Sequence, residues 1–362
     1  MLKKGIILIL GLFLTASFAI ADAIYLKSGN KIEGEITEKT GDYVKINFYG
    51  VELTYYKDQI SKVVKSGESS SAVALEKFSQ GGLEVRPNAE QPPHTGKSFL
   101  WKVNSKNGNL YLLGSVHAGK SQLYPLPKDI TDAFEASETL AVEANINLND
   151  LRSSLKMLEG GVYINGQTLQ DHLNPKTFRL LEEKLNERGL NLSEYALFKP
   201  WFISLLLMSM ELKKSGFDEE LGIDKYFLNQ ASDKKILELE GADFQIRLFN
   251  EFPDDLQDLF LFSTLTGLDN LKVEMEQTLK VWLSGDIAGM EKIIFKAMLE
   301  YPGLSLLYEK LFYERNITMA SKIEGFLKAG GNYFVVVGSG HMLGEKGILK
   351  LLERKGYMAK QL

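Results

Sequence analysis

Four histidines and a handful of carboxylates carry the chemistry open to this chain, and their settings differ. His117 follows the apolar run Leu110–Leu113 in the order Gly114-Ser115-Val116-His117, and His341 follows Tyr333–Val337 in the order Gly338-Ser339-Gly340-His341. Glu143 ends the run that begins at Thr139, and Glu240 closes the run that begins at Lys235. A buried strand that stops at a titratable residue sets that residue on the sheet rim, and open α/β sheets bind ligands beyond the carboxyl ends of their strands. If these four strands are parallel neighbours, two imidazoles and one or two carboxylates face a single cleft. That donor set suits a divalent zinc, cobalt or manganese ion with an open position for water. Such an ion would acidify the water and polarise a carbonyl, while an unligated glutamate moves a proton. The glycine before each histidine is expected to let the backbone turn sharply there.

Each of these residues also has a plainer reading. A histidine after a buried strand is commonly a hydrogen-bonded turn residue. Glu240 would equally serve as the acidic start of a helix over Gly241–Phe252, where the dipole favours negative charge. Arg315-Asn316 lies inside a helical pattern, where arginine is usually solvated; a functional arginine there would hold a substrate carboxylate or an oxyanion. His94, after two prolines, reads as a solvated loop residue. His172, in Leu169-Gln170-Asp171-His172, reads as a structural or solvated residue.

The elements that must position these groups are legible in outline. The first 21 residues pair Lys3 and Lys4 with an apolar run to Ile20 and small residues at Ala19, Ala21 and Ala23, the pattern of a removable export peptide. A retained anchor is the competing reading, but the run falls short of the about 20 residues a span needs. From residue 22 to 65, five short β-patterned runs separated by turn residues predict a small curved β-module. The piece Ile24-Tyr25-Leu26-Lys27-Ser28-Gly29 through Ile36 resembles Sm-like or SH3-like barrels. Residues 66–98 are rich in Ser, Gly, Pro and Asn and read as a linker. Residues 99–362 alternate strand-like and helix-like patterns, with helices from about Asp129, Pro175, Pro200, Asp254, Leu271, Ile287 and Gly303. Phe202–Leu212 is apolar around its whole circumference and belongs in a core. The fold class is α/β (α+β): a helix-rich domain around a mixed central β-sheet, preceded by the small barrel-like module.

Composition narrows the function. The 362 residues include no cysteine, which excludes disulfide frameworks, thiolate metal sites and a cysteine nucleophile. A net charge of −5 gives no general attraction to nucleic acid phosphates, so no nucleic acid partner is expected. The β-module suits docking to a cell-envelope partner or a plain stabilising role, and the helical surfaces would accommodate a homodimer.

Seven segments, in order, then carry a resemblance: Leu100–Pro127, Ser137–Ile146, Lys199–Phe202, Gly216–Ala231, Ile236–Gln245, Tyr313–Ile323 and Tyr333–Tyr357. Together they resemble the TraB/GumN family, which is similar to the Tiki-type metalloproteases. The resemblance implies a metal-dependent activity with manganese or cobalt favoured, and zinc as a further option. Residue by residue it implies His117, Glu143 and His341 as metal ligands, with Glu143, Glu240 and Arg315 in catalytic roles. It places Gln245 and Asn316 at family positions beside Glu240 and Arg315. The function expected is an exported, periplasmic or extracellular metal-dependent hydrolase, acting on a peptide or protein, with no transmembrane span after leader removal. The alternative is a non-catalytic protein that binds a peptide or other ligand, since TraB-like proteins include members linked to peptide-pheromone control. Haem binding, from kinship with ChaN-like proteins, is a third option.

Overall fold

The computed structural model describes residues 22–27, 31–48, 51–65, 96–105, 108–145, 151–164, 166–300 and 302–362. The expected export peptide, most of the linker and His94 lie outside the described residues.

The N-terminal module consists of β1 (Asp22–Leu26), β2 (Lys31–Lys39), β3 (Tyr43–Phe48), β4 (Val51–Tyr56) and β5 (Ile60–Val64). All pairings are antiparallel and the strand order is β4-β3-β2-β1-β5. Alternation along the strands turns Ile24, Ile36, Val44 and Ile46 into one small core. Register shifts at Tyr25/Leu26 and Ile36/Glu38 bend the sheet. Closure into a barrel is not seen among the described residues, where β4 and β5 stand at opposite ends of the order.

The larger domain is built on a six-stranded mixed sheet of β6 (Leu100–Ser105), β7 (Gly108–Ser115), β8 (Thr139–Val142), β9 (Lys235–Glu238), β10 (Tyr333–Gly338) and β11 (Ala359–Gln361). The order is β11-β6-β7-β10-β8-β9. β11, β6 and β7 pair antiparallel, whereas β7, β10, β8 and β9 run parallel. The four strands picked out above are therefore parallel and adjacent. A parallel strand covered on both faces must be apolar on both faces. Accordingly Leu112, Leu113, Phe334, Val335, Val336 and Val337 are all fully buried.

Helices cover the sheet. Phe134 and Phe227, from Lys128–Glu135 and Ile223–Gln230, pack on Phe334 of β10 with ring centroids 5.4 and 4.8 Å away. Pro200–Lys214 lies in the core as its pattern predicts, with Trp201 stacked on Phe249 at 5.2 Å. Helix starts follow local chemistry: Asn174 caps Pro175–Asn186 by accepting from the Lys176 N–H, and proline at the first position has no N–H to leave unpaired. Among the described residues, no helix is long and apolar enough to cross a membrane.

Candidate functional site

The parallel ladder brings the rim together. Gly338 of β10 stands opposite Ser115 of β7, and Val142 of β8 pairs with both Val336 and Glu238. Beyond β8 and β9 the ladder continues, with the Glu143 carbonyl accepting from the N–H groups of Glu240 and Gly241 at 2.8 and 2.9 Å. Glu143 and Glu240 are thereby fixed side by side. Gly241, at φ +96°, uses the conformational freedom of glycine to turn the chain into the helix Ala242–Asn250.

Arg315 closes on both carboxylates. Its Nη2 donates to Glu143 Oε2 at 2.7 Å and to Glu240 Oε2 at 2.6 Å, while Nε donates to Glu240 Oε1 at 2.8 Å. Nη1 donates to the Leu311 carbonyl at 2.9 Å. The arginine reaches the rim because it heads an apolar stripe on Glu314–Ala329: Arg315, Met319, Ile323 and Leu327 recur every four residues and are all buried. Asn316 heads the companion stripe with Ala320. A π-helical segment, Glu309–Tyr313, leads directly into this helix, and such segments are frequent at functional sites.

His341 lies on the short helix Ser339–Met342 that follows β10, is wholly buried, and leans on the Phe312 ring at 5.2 Å. Its Nδ1 is 2.6 Å from Asn316 Oδ1, and the Asn316 amide donates to the Lys346 carbonyl at 2.9 Å. That second bond fixes which end of the amide faces the ring, so Nδ1 carries the proton and Nε2 the lone pair. Nε2 is buried without a hydrogen-bond partner, 3.8 Å from Glu143 Oε2. Burial, then the charges of Arg315 and His117, holds the ring well below its usual pKa, so it is neutral.

Glu143 is 4% exposed and takes the Gly338 N–H on Oε1 at 2.6 Å. Burial pushes its carboxyl above the usual range, against the pull of Arg315, His117 and that N–H. Burial works against the Arg315 charge too, but Glu240 and Glu143 more than offset it, leaving a permanent guanidinium. Gln245 donates to Glu240 Oε2 at 3.3 Å.

His117 sits just past β7, close enough to act electrostatically on Glu143 and His341. Its Nδ1 stands 2.8 Å from Asp224 Oδ2, at hydrogen-bond distance although not in full hydrogen-bond alignment. Ser115 donates to the other oxygen, Oδ1, at 3.0 Å. Burial raises the Asp224 pKa, but the His117 ring and the Ser115 hydroxyl outweigh it and hold the carboxyl below its usual range.

The rim thus gathers Glu143, Glu240, Arg315 and His341 through direct contacts or near approach, with His117 beside them. His172 belongs to other contacts: Nδ1 meets Asp254 Oδ2 at 2.9 Å and the ring stacks on Tyr163 at 4.4 Å. One of the plainer readings fails. Arg315 is not solvated, because its guanidinium is needed between two buried carboxylates. The motif glycines do not take a left-handed backbone. Gly114 is absent from the positive-φ residues and Gly338 has φ −52°. At Gly114 the need is space, since a Cβ would come within 2.8 Å of the Phe99 ring. Sequence reasoning left Asp224 without a role; an acid in the first turn of a helix looks like ordinary dipole chemistry, and its partner is 107 positions away.

Among the described residues, no three His, Asp or Glu side chains enclose a metal position as they stand. The donors nevertheless fit a divalent ion in kind. His341 is neutral with an unpartnered buried Nε2, and Glu143 Oε2 beside it retains a lone pair beyond its bond to Arg315.

A helix-covered mixed sheet, with imidazoles and paired carboxylates at the carboxyl ends of its parallel strands, defines an α/β protein with a buried polar rim site. The chain belongs to the TraB/PrgY/gumN family, whose model matches residues 99–361. It is 26% identical over 249 residues to the uncharacterized protein YbaP of Escherichia coli, covering 68% of this chain and 88% of that one. It is 21% identical over 319 residues to a metalloprotease TIKI homolog of Amphimedon queenslandica, covering 74% of this chain and 62% of that protein. Metalloprotease TIKI2 of Danio rerio is 23% identical over 313 residues, covering 72% of this chain and 60% of its own length. No solved structure matches the chain.

Proposed function

We propose that this protein is an exported metal-dependent hydrolase that cleaves peptide bonds. The observation that carries the reading is the neutral, unpartnered Nε2 of His341, buried 3.8 Å from a Glu143 carboxylate oxygen. Kinship with proteins named metalloproteases supports it, and the apolar N-terminal pattern supports export. His117, Glu143 and His341 would hold the ion, with manganese or cobalt favoured and zinc as a further option. Bound there, a divalent ion acidifies water and polarises a carbonyl. Glu143 would offer the ion Oε2, which keeps a lone pair beyond its bond to Arg315. Arg315 contributes charge: its bonds to Glu143, Glu240 and Leu311 leave it fixed, so it stabilises developing negative charge through its field. Glu240 anchors that guanidinium through two bonds.

The test is elemental analysis of the purified protein beside His341→Ala, followed by cleavage of a peptide library with and without added manganese, cobalt or zinc. Stoichiometric metal lost in the variant, with metal-stimulated cleavage, is the expected result. Full turnover by metal-free protein rejects the proposal. Binding without turnover is the second reading, and the Arg315 clasp favours it, because an internal cation already sits on both carboxylates. Peptide affinity that survives replacement of His117 and His341 together would select it.

A further inference from the structure

The segment Phe217–Asp224 is fastened to the His117 loop with more care than a surface connection needs. Gly119 and Asp218 exchange backbone bonds at 2.8 Å in both directions, and the Ile223 N–H donates to the Val116 carbonyl at 3.0 Å. Two glycines make the approach possible: a Cβ on Gly119 would lie 2.1 Å from the Leu221 carbonyl oxygen, and one on Gly222 would lie 2.3 Å from that of His117. Two residues beyond Gly222, Asp224 arrives against the His117 ring, and Ser115, at the end of β7, engages its other oxygen. At 2.8 Å a carboxylate oxygen and a bare ring nitrogen would oppose lone pair to lone pair, so the proton lies on the His117 Nδ1 side that faces Asp224. Asn316 imposes the same tautomer on His341 from a separate helix.

We infer that Asp224, braced by Ser115, is a positioning residue that keeps a proton on His117 Nδ1, so that in the neutral ring Nε2 is the lone-pair nitrogen, matching the state Asn316 sets on His341. Two imidazoles that follow different strands are thereby given one polarity by two unrelated partners. Acceptors on the remote nitrogen of a metal-ligating histidine fix ring orientation and raise basicity, and losing one typically weakens metal binding by about 10–100-fold. The use of this tautomer rests on the metal-site reading above; its existence does not.

The full-length metal-free protein, labelled with 15N in its histidines, tests this by long-range proton–nitrogen correlation. There are only four rings, assigned by replacing each in turn. The wild type is expected to show His117 and His341 both protonated at Nδ1. Asp224→Asn and Asp224→Ala are expected to move His117 toward the Nε2–H form or a mixture, leaving His341 unchanged, and to weaken manganese or cobalt binding about 10–100-fold by calorimetry. A wild-type His117 protonated at Nε2 and bare at Nδ1, or unmoved in both folded variants, overturns the inference. If both variants fail to fold, the wild-type spectrum still decides, with Ser115→Ala expected to give a smaller loss of Nδ1–H population. A wild type that has the expected tautomers but binds no divalent ion overturns the proposed function and leaves the positioning role standing.

Discussion

Removing the Arg315 side chain isolates the energetics of the rim. In Arg315→Ala, Glu143 and Glu240 lose the cation that bonds them at 2.7, 2.6 and 2.8 Å, and Leu311 loses a donor. Breaking a buried ion pair from one side costs about 3–5 kcal/mol. Proton uptake by one carboxylate sets a ceiling on that cost. Protonating an ordinary glutamate of pKa about 4.3 at pH 7 takes about 3.7 kcal/mol, and at pH 5 about 1 kcal/mol. The variant should therefore lose about 4 kcal/mol at pH 7 and recover roughly 2–3 kcal/mol of it at pH 5. The sign follows from linkage: the unpaired buried carboxylates bind protons more tightly folded than unfolded, so the variant gains stability relative to wild type as pH falls. Urea unfolding in chelator, followed by tryptophan fluorescence, measures this cleanly. All three tryptophans, Trp101, Trp201 and Trp282, are buried in the larger domain, so the signal reports that domain alone. With an m-value of about 3 kcal/mol/M, the pH 7 midpoint should fall by about 1.3 M. Adding Glu240→Gln to Arg315→Ala should restore part of the loss by deleting one unpaired charge. A deficit under about 1 kcal/mol at pH 7, or one that is the same at pH 5, would refute the account of a charge-coupled clasp.

Three further outcomes follow from particular contacts. Glu219 is 5% exposed, with Oε1 bonded to Ser209 and Oε2 unpartnered, and burial holds its carboxyl above the usual range. Its folded form thus binds protons more tightly than the unfolded chain, and stability falls as pH rises through the folded pKa; Glu219→Gln should be stabilising at pH 8 and near neutral at pH 4 in urea melts. Gly222→Ala should cost about 1–3 kcal/mol by thermal unfolding, because the new methyl collides with the His117 carbonyl, and it should disturb the His117 resonances while sparing those of His172. Tyr163 carries a buried hydroxyl without a partner, so Tyr163→Phe should leave the urea midpoint unchanged or raised; a loss above about 1 kcal/mol would reveal a bond the structure lacks.

Much of the scaffold was legible because apolar runs in this chain end abruptly. Thr139–Val142 is bounded in sequence as in the fold, and the helix starts at Pro175, Pro200, Asp254, Leu271 and Ile287 coincide with those expected. Proline, acidic first turns and periodicity are local signals, and local signals survive the absence of tertiary information. Ile223–Gln230 was missed because its start is set by Gly222 lodging against the His117 backbone, a contact with no local trace. Leu151–Gly161 was missed as well. At the rim, strand ends pointed to Glu143, Glu240 and His341, but the clasp between them was not readable, since Arg315 lies 172 positions from Glu143. Besides the family resemblance, the four-residue recurrence through Met319, Ile323 and Leu327 was a sign that this arginine faces inward.

β10 sits between β7 and β8 yet comes more than 190 positions after β8 begins. During synthesis, β7 and β8 are therefore both made long before the strand that joins them, and each waits with an open edge where Tyr333–Gly338 will insert. A nascent chain that has not reached Tyr333 has a split sheet and cannot align Gly338 with Glu143. Unpaired edges of this kind favour association between chains. The ribosome must thus reach roughly the last 30 residues before Gly338 and His341 can join Glu143, although Glu143 and Glu240 can already lie paired by then.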